Sequence, residues 1–223
     1  MITVHHLNNS RSQRVLWLLE ELGVPYEIRH YQRDAKTMLA PPELRQVHPL
    51  GKSPVITDGD QVVAESGAII EYLCRAYGND SIVPIGNRQA MLDYSYFLHY
   101  AEGSAMPLFV MKLVFSEIPR RPMPFFVRPI ARALCGQVIK TWLQPQIDNH
   151  LAFLEAHLQK QKWFAGEAFS AADIQMSFPV EAAAVRDRVA EKYPALQDFL
   201  ERIHARPAYQ RALEKGGPYS LAG

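Results

Sequence analysis

Residues 7–27 read LNNSRSQRVLWLLEELGVPYE, and this stretch decides the fold of the first third of the chain. Its apolar residues from Val15 to Leu22 are spaced i, i+3, i+4, i+7 and predict an amphipathic helix. Gly23 and Pro25 end the helix, because glycine accepts a left-handed conformation and proline cannot continue a helix. Strand-type residues lie on both sides, so the stretch predicts a β-α-β unit whose two strands run parallel.

Hydrophobic periodicity and turn signals extend this prediction along the chain. Strands are predicted at 2–7, 26–31, 55–57 and 61–64, and helices at 12–22, 42–47, 67–77, 88–115, 130–159, 171–190, 194–205 and 207–215. Bends are expected at Pro107 and Pro145. The order predicts an α/β domain over 1–80, arranged β-α-β-α-β-β-α around a mixed four-stranded sheet, then a linker over 81–87 and an all-α domain over 88–223.

Composition excludes several classes of protein. The 223 residues carry 24 basic and 23 acidic side chains, so the net charge of +1 creates no overall field for nucleic acid or an anionic membrane. The two cysteines lie far apart and the eight histidines show no metal-binding spacing, so neither a disulfide scaffold nor a metal site is expected. No signal peptide and no membrane-spanning segment is visible. We therefore expect a soluble cytoplasmic protein without a nucleic-acid or membrane partner.

Ser10 is the candidate reactive residue, because it stands in the loop where the first helix begins. Backbone N–H groups and partial positive charge at a helix N-terminus favour an anion there. A ligand thiol has a pKa near 8.5, and lowering it by about two units requires roughly 2.7 kcal/mol of preference for the thiolate. Ser10 would supply this preference as a hydrogen-bond donor. A plain helix cap is the alternative role, and Asn9, Arg11 and Ser12 compete for the same contact.

Two further pairs of residues offer contacts to a peptide-like ligand. Ser53-Pro54 opens a strand, where a cis peptide bond would leave the backbone groups of Ser53 free to pair with a ligand; an ordinary trans bond is the alternative. Glu65-Ser66 opens a helix, where backbone N–H groups favour a carboxylate and Glu65 accepts an ammonium. This second pair fits an α-amino acid group. The alternative is that Ser66 only caps the helix and Glu65 is exposed to solvent.

Residues 170–173 read SAAD, which is a capping-box pattern at the start of a helix in the helical domain. We interpret Asp173 as a residue that supports folding and takes no part in chemistry. Cys74 falls in the third predicted helix and is interpreted as a small buried apolar residue.

Four motifs together resemble the cytosolic glutathione S-transferase family. They are SRSQR at 10–14, HPLGKSPVI at 48–56, AESGAIIEYL at 64–73 and FSAADI at 169–174. Their order and spacing extend along the whole chain, which resembles a thioredoxin-like domain followed by an all-helical domain. Within the family, the segment YQRDAKTMLAPPELRQVHPLGKSP at 31–54 looks most like serine-type bacterial and fungal members.

The resemblance implies a role for each matched residue, with glutathione as the co-substrate. Ser10 would activate the glutathione sulfur. Ser53, before cis-Pro54, would pair with the cysteinyl backbone of glutathione. Glu65 and Ser66 would hold its γ-glutamyl group.

Recognition of the glycyl carboxylate falls to other residues, because the basic residue that several classes carry in the second-helix region has no counterpart here. Lys52 would lie near this carboxylate, with Lys36 and Arg45 as weaker candidates. A second substrate would bind between the domains. Its predicted wall consists of Asn8, Tyr100, Met106, Phe109 and Val110.

The resemblance implies a detoxifying glutathione transferase whose bound thiolate attacks an electrophilic, largely apolar substrate. Isomerisation or peroxide reduction at the same site, and a transferase-like binding module without turnover, are the alternatives. Family members are usually homodimers in which the fourth and fifth helices form most of the interface. Glu102 would reach across this interface toward the glutathione of the neighbouring subunit.

Overall fold

The computed structural model describes residues 1–78, 82–187 and 189–221. Its N-terminal part is a four-stranded sheet in the order β2-β1-β3-β4 with helices packed on it. The strands are β1 (Ile2–Leu7), β2 (Tyr26–Tyr31), β3 (Val55–Asp58) and β4 (Gln61–Ala64), and the helices are α1 (Ser12–Leu22), α2 (Leu44–Val47) and α3 (Ser66–Tyr77). β1 and β2 are parallel, whereas β3 is antiparallel to both β1 and β4, so the predicted mixed sheet is confirmed.

The C-terminal part is built from helices. They are α4 (Arg88–Tyr100), α5 (Met106–Glu117), α6 (Arg128–Val138), α7 (Gln144–Leu158), α8 (Ala171–Arg186), α9 (Val189–Lys192), α10 (Pro194–His204) and α11 (Pro207–Gly216). One continuous hydrophobic core runs from the sheet through α1 into these helices. None of the helices in the described ranges is long and apolar enough to span a bilayer.

The two predicted bends take the form of π-helical turns. Residues 101–105 link α4 to α5, and residues 139–143 link α6 to α7. Each turn ends two residues before a proline, Pro107 or Pro145, which is the second residue of the following helix. Because proline lacks the N–H that would bond four residues back, the backbone widens just before it. Each long helix that the sequence predicted is therefore divided in two.

Helix α1 lies between the sheet and the helical domain, and eight consecutive residues from Ser12 to Leu19 are buried. Trp17 packs edge-on against Tyr209 of α11, with the two ring centroids 5.2 Å apart. Gly23 follows the helix with a φ of 65°, a left-handed conformation that glycine adopts without steric cost. The predicted boundaries of α1 and its glycine stop are thus confirmed.

The predicted linker falls partly outside the described residues, which resume at residue 82 after a gap at 79–81. Residues 82–87 contain neither helix nor strand. The Ile82 carbonyl accepts a hydrogen bond from the Ala171 N–H at 2.8 Å, so this segment is fixed to the start of α8. Helix α4 then begins after Asn87, whose side chain caps it.

Candidate active site

A cavity of about 240 Å³ gathers the residues predicted to bind a peptide-like ligand. Lys52, Ser53, Pro54, Glu65 and Ser66 all line it. The other lining residues are Arg11, His48, Leu50, Ala64 and Glu102. The wall therefore carries two carboxylates and two permanent cations, which suits a ligand with both ammonium and carboxylate groups.

The segment before β3 contains the cis peptide bond that was considered from the sequence. The peptide bond between Ser53 and Pro54 is cis. Ser53 Oγ donates a hydrogen bond to the His5 carbonyl at 3.0 Å, which anchors the segment to β1. Among the residues that the structure describes, neither the N–H nor the C=O of Ser53 has a hydrogen-bond partner. These two backbone groups are available to a ligand.

The junction between β4 and α3 is strained. Glu65 has a φ of 70°, which is unusual and costly for a residue with a side chain. It occupies the cap position of α3 without making a side-chain cap bond, and Ser66 is the first residue of the helix. In the alternative reading of this pair as a helix cap, the cap residue is thus Glu65 and not Ser66. The strained turn places a carboxylate next to the first N–H groups of a helix, which have no partner within the helix.

Glu102, in the π-helical turn between α4 and α5, connects the cavity to the domain interface. Arg11 Nε donates to both carboxylate oxygens of Glu102 at 2.9 Å, and the buried Arg14 donates to the same carboxylate. Arg14 Nη1 also donates to Gln175 Oε1 of α8 at 2.8 Å. Burial by itself would raise the pKa of Glu102, but the charges of Arg14 and Arg11 lower it overall. Glu102 thus pairs with two arginines of its own chain.

Ser10 belongs to an internal hydrogen-bond network. It is only 3% exposed, and its Oγ accepts a bond from the Ser12 N–H at 3.2 Å and lies 2.7 Å from Ser12 Oγ. Ser12 Oγ in turn lies 2.9 Å from His6 Nδ1. Burial and the nearby His30 lower the pKa of His6 to about 4, which keeps this histidine neutral at physiological pH. From this loop, the residue that lines the cavity is Arg11.

A second cavity, of about 340 Å³, adjoins the first and shares four residues with it. The shared residues are Arg11, Leu50, Lys52 and Ser53. The remaining wall consists of Leu7, Arg33, Met38, Leu39, Ala40, Pro41, Arg45 and Gly51. Two candidates for the glycyl carboxylate, Lys52 and Arg45, therefore border one space. The third, Lys36, is not among its lining residues.

Three of the five residues predicted to form the wall of the second-substrate pocket are buried. Tyr100, Met106 and Phe109 are buried in the main core. Apolar residues at helical spacing pack equally well against a core or around a cavity, and here the helices turn these three side chains inward. Val110 is exposed, and Asn8 Oδ1 accepts a backbone hydrogen bond at 2.8 Å from the residues after β2.

The paired role of Glu102 within its own chain was not predicted from the sequence. One feature of the sequence does indicate an ion pair, because Glu102 is the only acid between Asp93 and Glu117. An isolated acid on a largely apolar helix is rarely buried unless it is paired. The partners of Glu102 lie far away along the chain, on α1 and just before it, so periodicity could not identify them.

The chain matches two family models, the glutathione S-transferase N-terminal domain over residues 10–76 and the C-terminal domain over residues 140–207. It is 39% identical to glutathione S-transferase 3 of Schizosaccharomyces pombe, over 96% of this chain and 88% of that protein. It is 33% identical to glutathione S-transferase 1 of Saccharomyces cerevisiae, over 96% of this chain and 95% of that protein. A solved glutathione S-transferase from Actinobacillus pleuropneumoniae aligns over 100% of this chain and 96% of its own, with a TM-score of 0.79 and 32% identity. The protein is therefore a member of the glutathione S-transferase family.

Proposed function

We propose that the protein binds glutathione in the first cavity and joins its sulfur to an electrophilic, largely apolar substrate. The observation that carries this proposal is the single cavity that gathers Lys52, Ser53, Pro54, Glu65 and Ser66. The relatives of the chain in two fungi, which are named for glutathione transfer, support the choice of ligand.

Each anchor group of the cavity fits one part of glutathione. The Glu65 carboxylate pairs with the ammonium of the γ-glutamyl residue, and the N–H groups at the start of α3 donate hydrogen bonds to the carboxylate of the same residue. The backbone N–H and C=O of Ser53 pair with the cysteinyl residue, as an added strand would. Lys52 binds the glycyl carboxylate. An extended tripeptide then points its sulfur toward the start of α1.

We propose that Arg11, and not Ser10, contacts the sulfur. The Arg11 side chain lines the cavity, whereas Ser10 is buried and hydrogen-bonded to Ser12. A guanidinium beside a thiol favours the thiolate, because an opposite charge within a few ångströms stabilises the ionised form. Glu102 acts as a positioning residue, since its two oxygens hold Arg11 Nε at 2.9 Å.

The electrophile binds in the second cavity, next to the sulfur. Leu7, Met38 and Leu39 provide apolar surface there. The thiolate attacks an electrophilic carbon, a carbon–sulfur bond forms, and the leaving group departs with its electron pair. The protein contributes a stabilised thiolate and a fixed orientation of the two reactants.

A conjugation assay tests this function. With glutathione and an aryl halide, the purified protein should form the thioether, and glutathione alone should produce the ultraviolet absorbance of a bound thiolate. Turnover of a cis-dienoic acid or of an organic hydroperoxide, without conjugation, would assign isomerase or peroxidase activity to the same cavity. Lack of both thiolate absorbance and retention on glutathione-agarose would contradict the proposal.

Replacing Glu65 by glutamine should weaken glutathione binding by roughly 10- to 100-fold, because a charge-assisted hydrogen bond to the ligand ammonium is lost. Isothermal titration calorimetry measures the change in Kd. Glu71→Gln is the matched control: Glu71 also lies on the α3 segment and pairs with Arg75, outside the cavity. Equal effects of the two substitutions would show that the cavity charge does not matter for binding.

We also propose a homodimer that uses the outer face of α4. Met91, Leu92 and Tyr96 are exposed on this helix, and Phe153 of α7 is exposed beside Tyr96, with ring centroids 6.2 Å apart. Exposed apolar residues clustered in this way are typical of a subunit interface. Replacing Leu92 by glutamate should convert the dimer to a monomer in analytical ultracentrifugation.

A further inference from the structure

The segment that follows α5 differs in charge from the rest of the chain. Between Glu117 and Asp148 the sequence has five basic residues and no acid, although the whole chain is almost neutral. Residues 118–134, which we call the tip, contain four of the five. These are Arg120, Arg121, Arg128 and Arg132. The balanced total charge of the chain therefore hides a local basic surface.

The tip also exposes large apolar side chains. Phe125 is 86% exposed and Phe126 is 64% exposed, and the two rings pack edge to face with centroids 5.6 Å apart. Ile130 and Leu134 follow on α6, one helical turn apart, and are 59% and 64% exposed. Side chains of this size, clustered on a surface, mark a site of interaction.

Aromatic and cationic side chains lie together on the tip. Phe125, Arg128 and Arg132 line one surface hollow of about 350 Å³. Arg120 pairs with Glu117 just before the tip, whereas neither Arg128 nor Arg132 pairs with an acid in the described part of the chain. These two arginines therefore have no counter-charge there, and an anionic partner would supply it.

We propose that the tip is a docking surface for membranes that contain anionic lipids. Phenylalanine and aliphatic side chains bury apolar surface when they enter the boundary between headgroups and acyl chains. Arginines beside them are attracted to the negative surface potential of such a membrane. The absence of acids from the tip sequence removes the repulsion that would oppose this approach. This peripheral contact revises the expectation, drawn from net charge, that the protein has no membrane partner.

A second copy of the chain fits this surface poorly. A two-fold interface places the same patch of both subunits face to face, so arginines would oppose arginines without an intervening acid. The face proposed for self-association is also remote. Met91 and Glu117 are separated by nearly the whole length of α4 and α5, roughly 40 Å at 1.5 Å per residue.

Docking at the tip would bring the second cavity close to the membrane. Arg121 Nη1 donates a hydrogen bond to the Lys36 carbonyl at 2.9 Å, which ties the tip to the segment between β2 and α2. Met38 and Leu39 of that segment are exposed and line the second cavity. Apolar compounds concentrate in lipid, so this orientation favours their capture. The docking itself does not depend on the proposed conjugation chemistry.

Cosedimentation of the full-length protein with lipid vesicles tests the proposal. We expect binding to vesicles of phosphatidylcholine mixed with phosphatidylserine, little binding to phosphatidylcholine alone, and weaker binding at high salt. Two double variants, Phe125→Ser/Phe126→Ser and Arg128→Gln/Arg132→Gln, should each lower the partition coefficient by about tenfold or more. Conjugation in solution and the oligomeric state should stay unchanged in both variants.

The matched control is Ile85→Ser/Arg75→Gln, which changes one exposed apolar and one exposed basic side chain outside the tip. It should bind vesicles like the unmodified protein. Failure to bind anionic vesicles, undiminished binding by the tip variants, or equal binding to both lipid compositions would overturn the proposal. Loss of the dimer in the tip variants would assign the tip to a subunit interface. Binding to polyglutamate but not to vesicles would assign the tip to an acidic protein partner. Either result would also overturn the membrane proposal.

Discussion

Replacing Arg11 by methionine is expected to raise the pKa of the bound glutathione thiol by about two units and to lower conjugation at neutral pH by more than about tenfold. Methionine keeps much of the side-chain volume and removes the charge. A nearby cation favours the thiolate, so its removal makes the thiol harder to ionise. The deficit should shrink above a pH of about 8.5, where free thiols ionise without help. A pH titration of the thiolate absorbance measures the shift.

Two companion variants sharpen this experiment. Ser10→Ala should leave the thiol pKa almost unchanged, because the Ser10 hydroxyl is bound to Ser12 inside the loop. Arg11→Lys should recover part of the conjugation activity that Arg11→Met loses. Lysine restores the positive charge but not the planar guanidinium group that pairs with Glu102. A large shift in Ser10→Ala, with none in Arg11→Met, would assign the sulfur contact to Ser10, as the resemblance to serine-type transferases implies.

The second large effect is expected at Asp173, in the capping box of α8. Asp173 is fully buried and accepts hydrogen bonds from the N–H groups of Phe164 and Ser170, both at 2.8 Å. Asp173→Ala leaves these two donors unsatisfied in the core and removes half of the capping box. We expect the free energy of unfolding to fall by roughly 3 to 5 kcal/mol. For a protein of this size, that lowers Tm by roughly 10 °C in a thermal scan.

Ser170→Ala is the matched control for this prediction. It removes only the Ser170 hydroxyl, so it should cost about 1 kcal/mol. Conjugation per folded molecule should be unchanged in both variants, because neither residue lines the cavity. An Asp173→Ala protein with the Tm of the unmodified protein and no conjugation would contradict the structural role and indicate a chemical one.

Local patterns predicted most of the elements. The apolar spacing of α1 and the stop at Gly23 predicted the observed ends of this helix. Two further helices begin at Pro194 and Pro207, because proline is favoured at the first position of a helix. The SAAD pattern placed the start of α8 at Ala171. These helix ends could be predicted because the residues that set them are neighbours in the chain, within one or two helical turns.

Features that depend on distant residues were not predictable in this way. Tyr100, Met106 and Phe109 look the same in sequence whether they face a core or a cavity, and the packing of the surrounding helices turned them inward. The arginine partners of Glu102 lie 91 and 88 positions earlier in the chain. No local rule relates such positions, because only the folded chain brings them within hydrogen-bond distance.

Sequence motifs were enough to predict the family, the order of strands and helices, and the group of residues that line the cavity between Lys52 and Ser66. These follow from short motifs whose backbone geometry is set locally. Tertiary structure decided which residue of the first loop meets that cavity. Ser10 turns into a network with Ser12 and His6, and Arg11 is held in the cavity wall by Glu102. The physical reason is that Arg11 gains a charged partner at that position, and this partner belongs to the other domain.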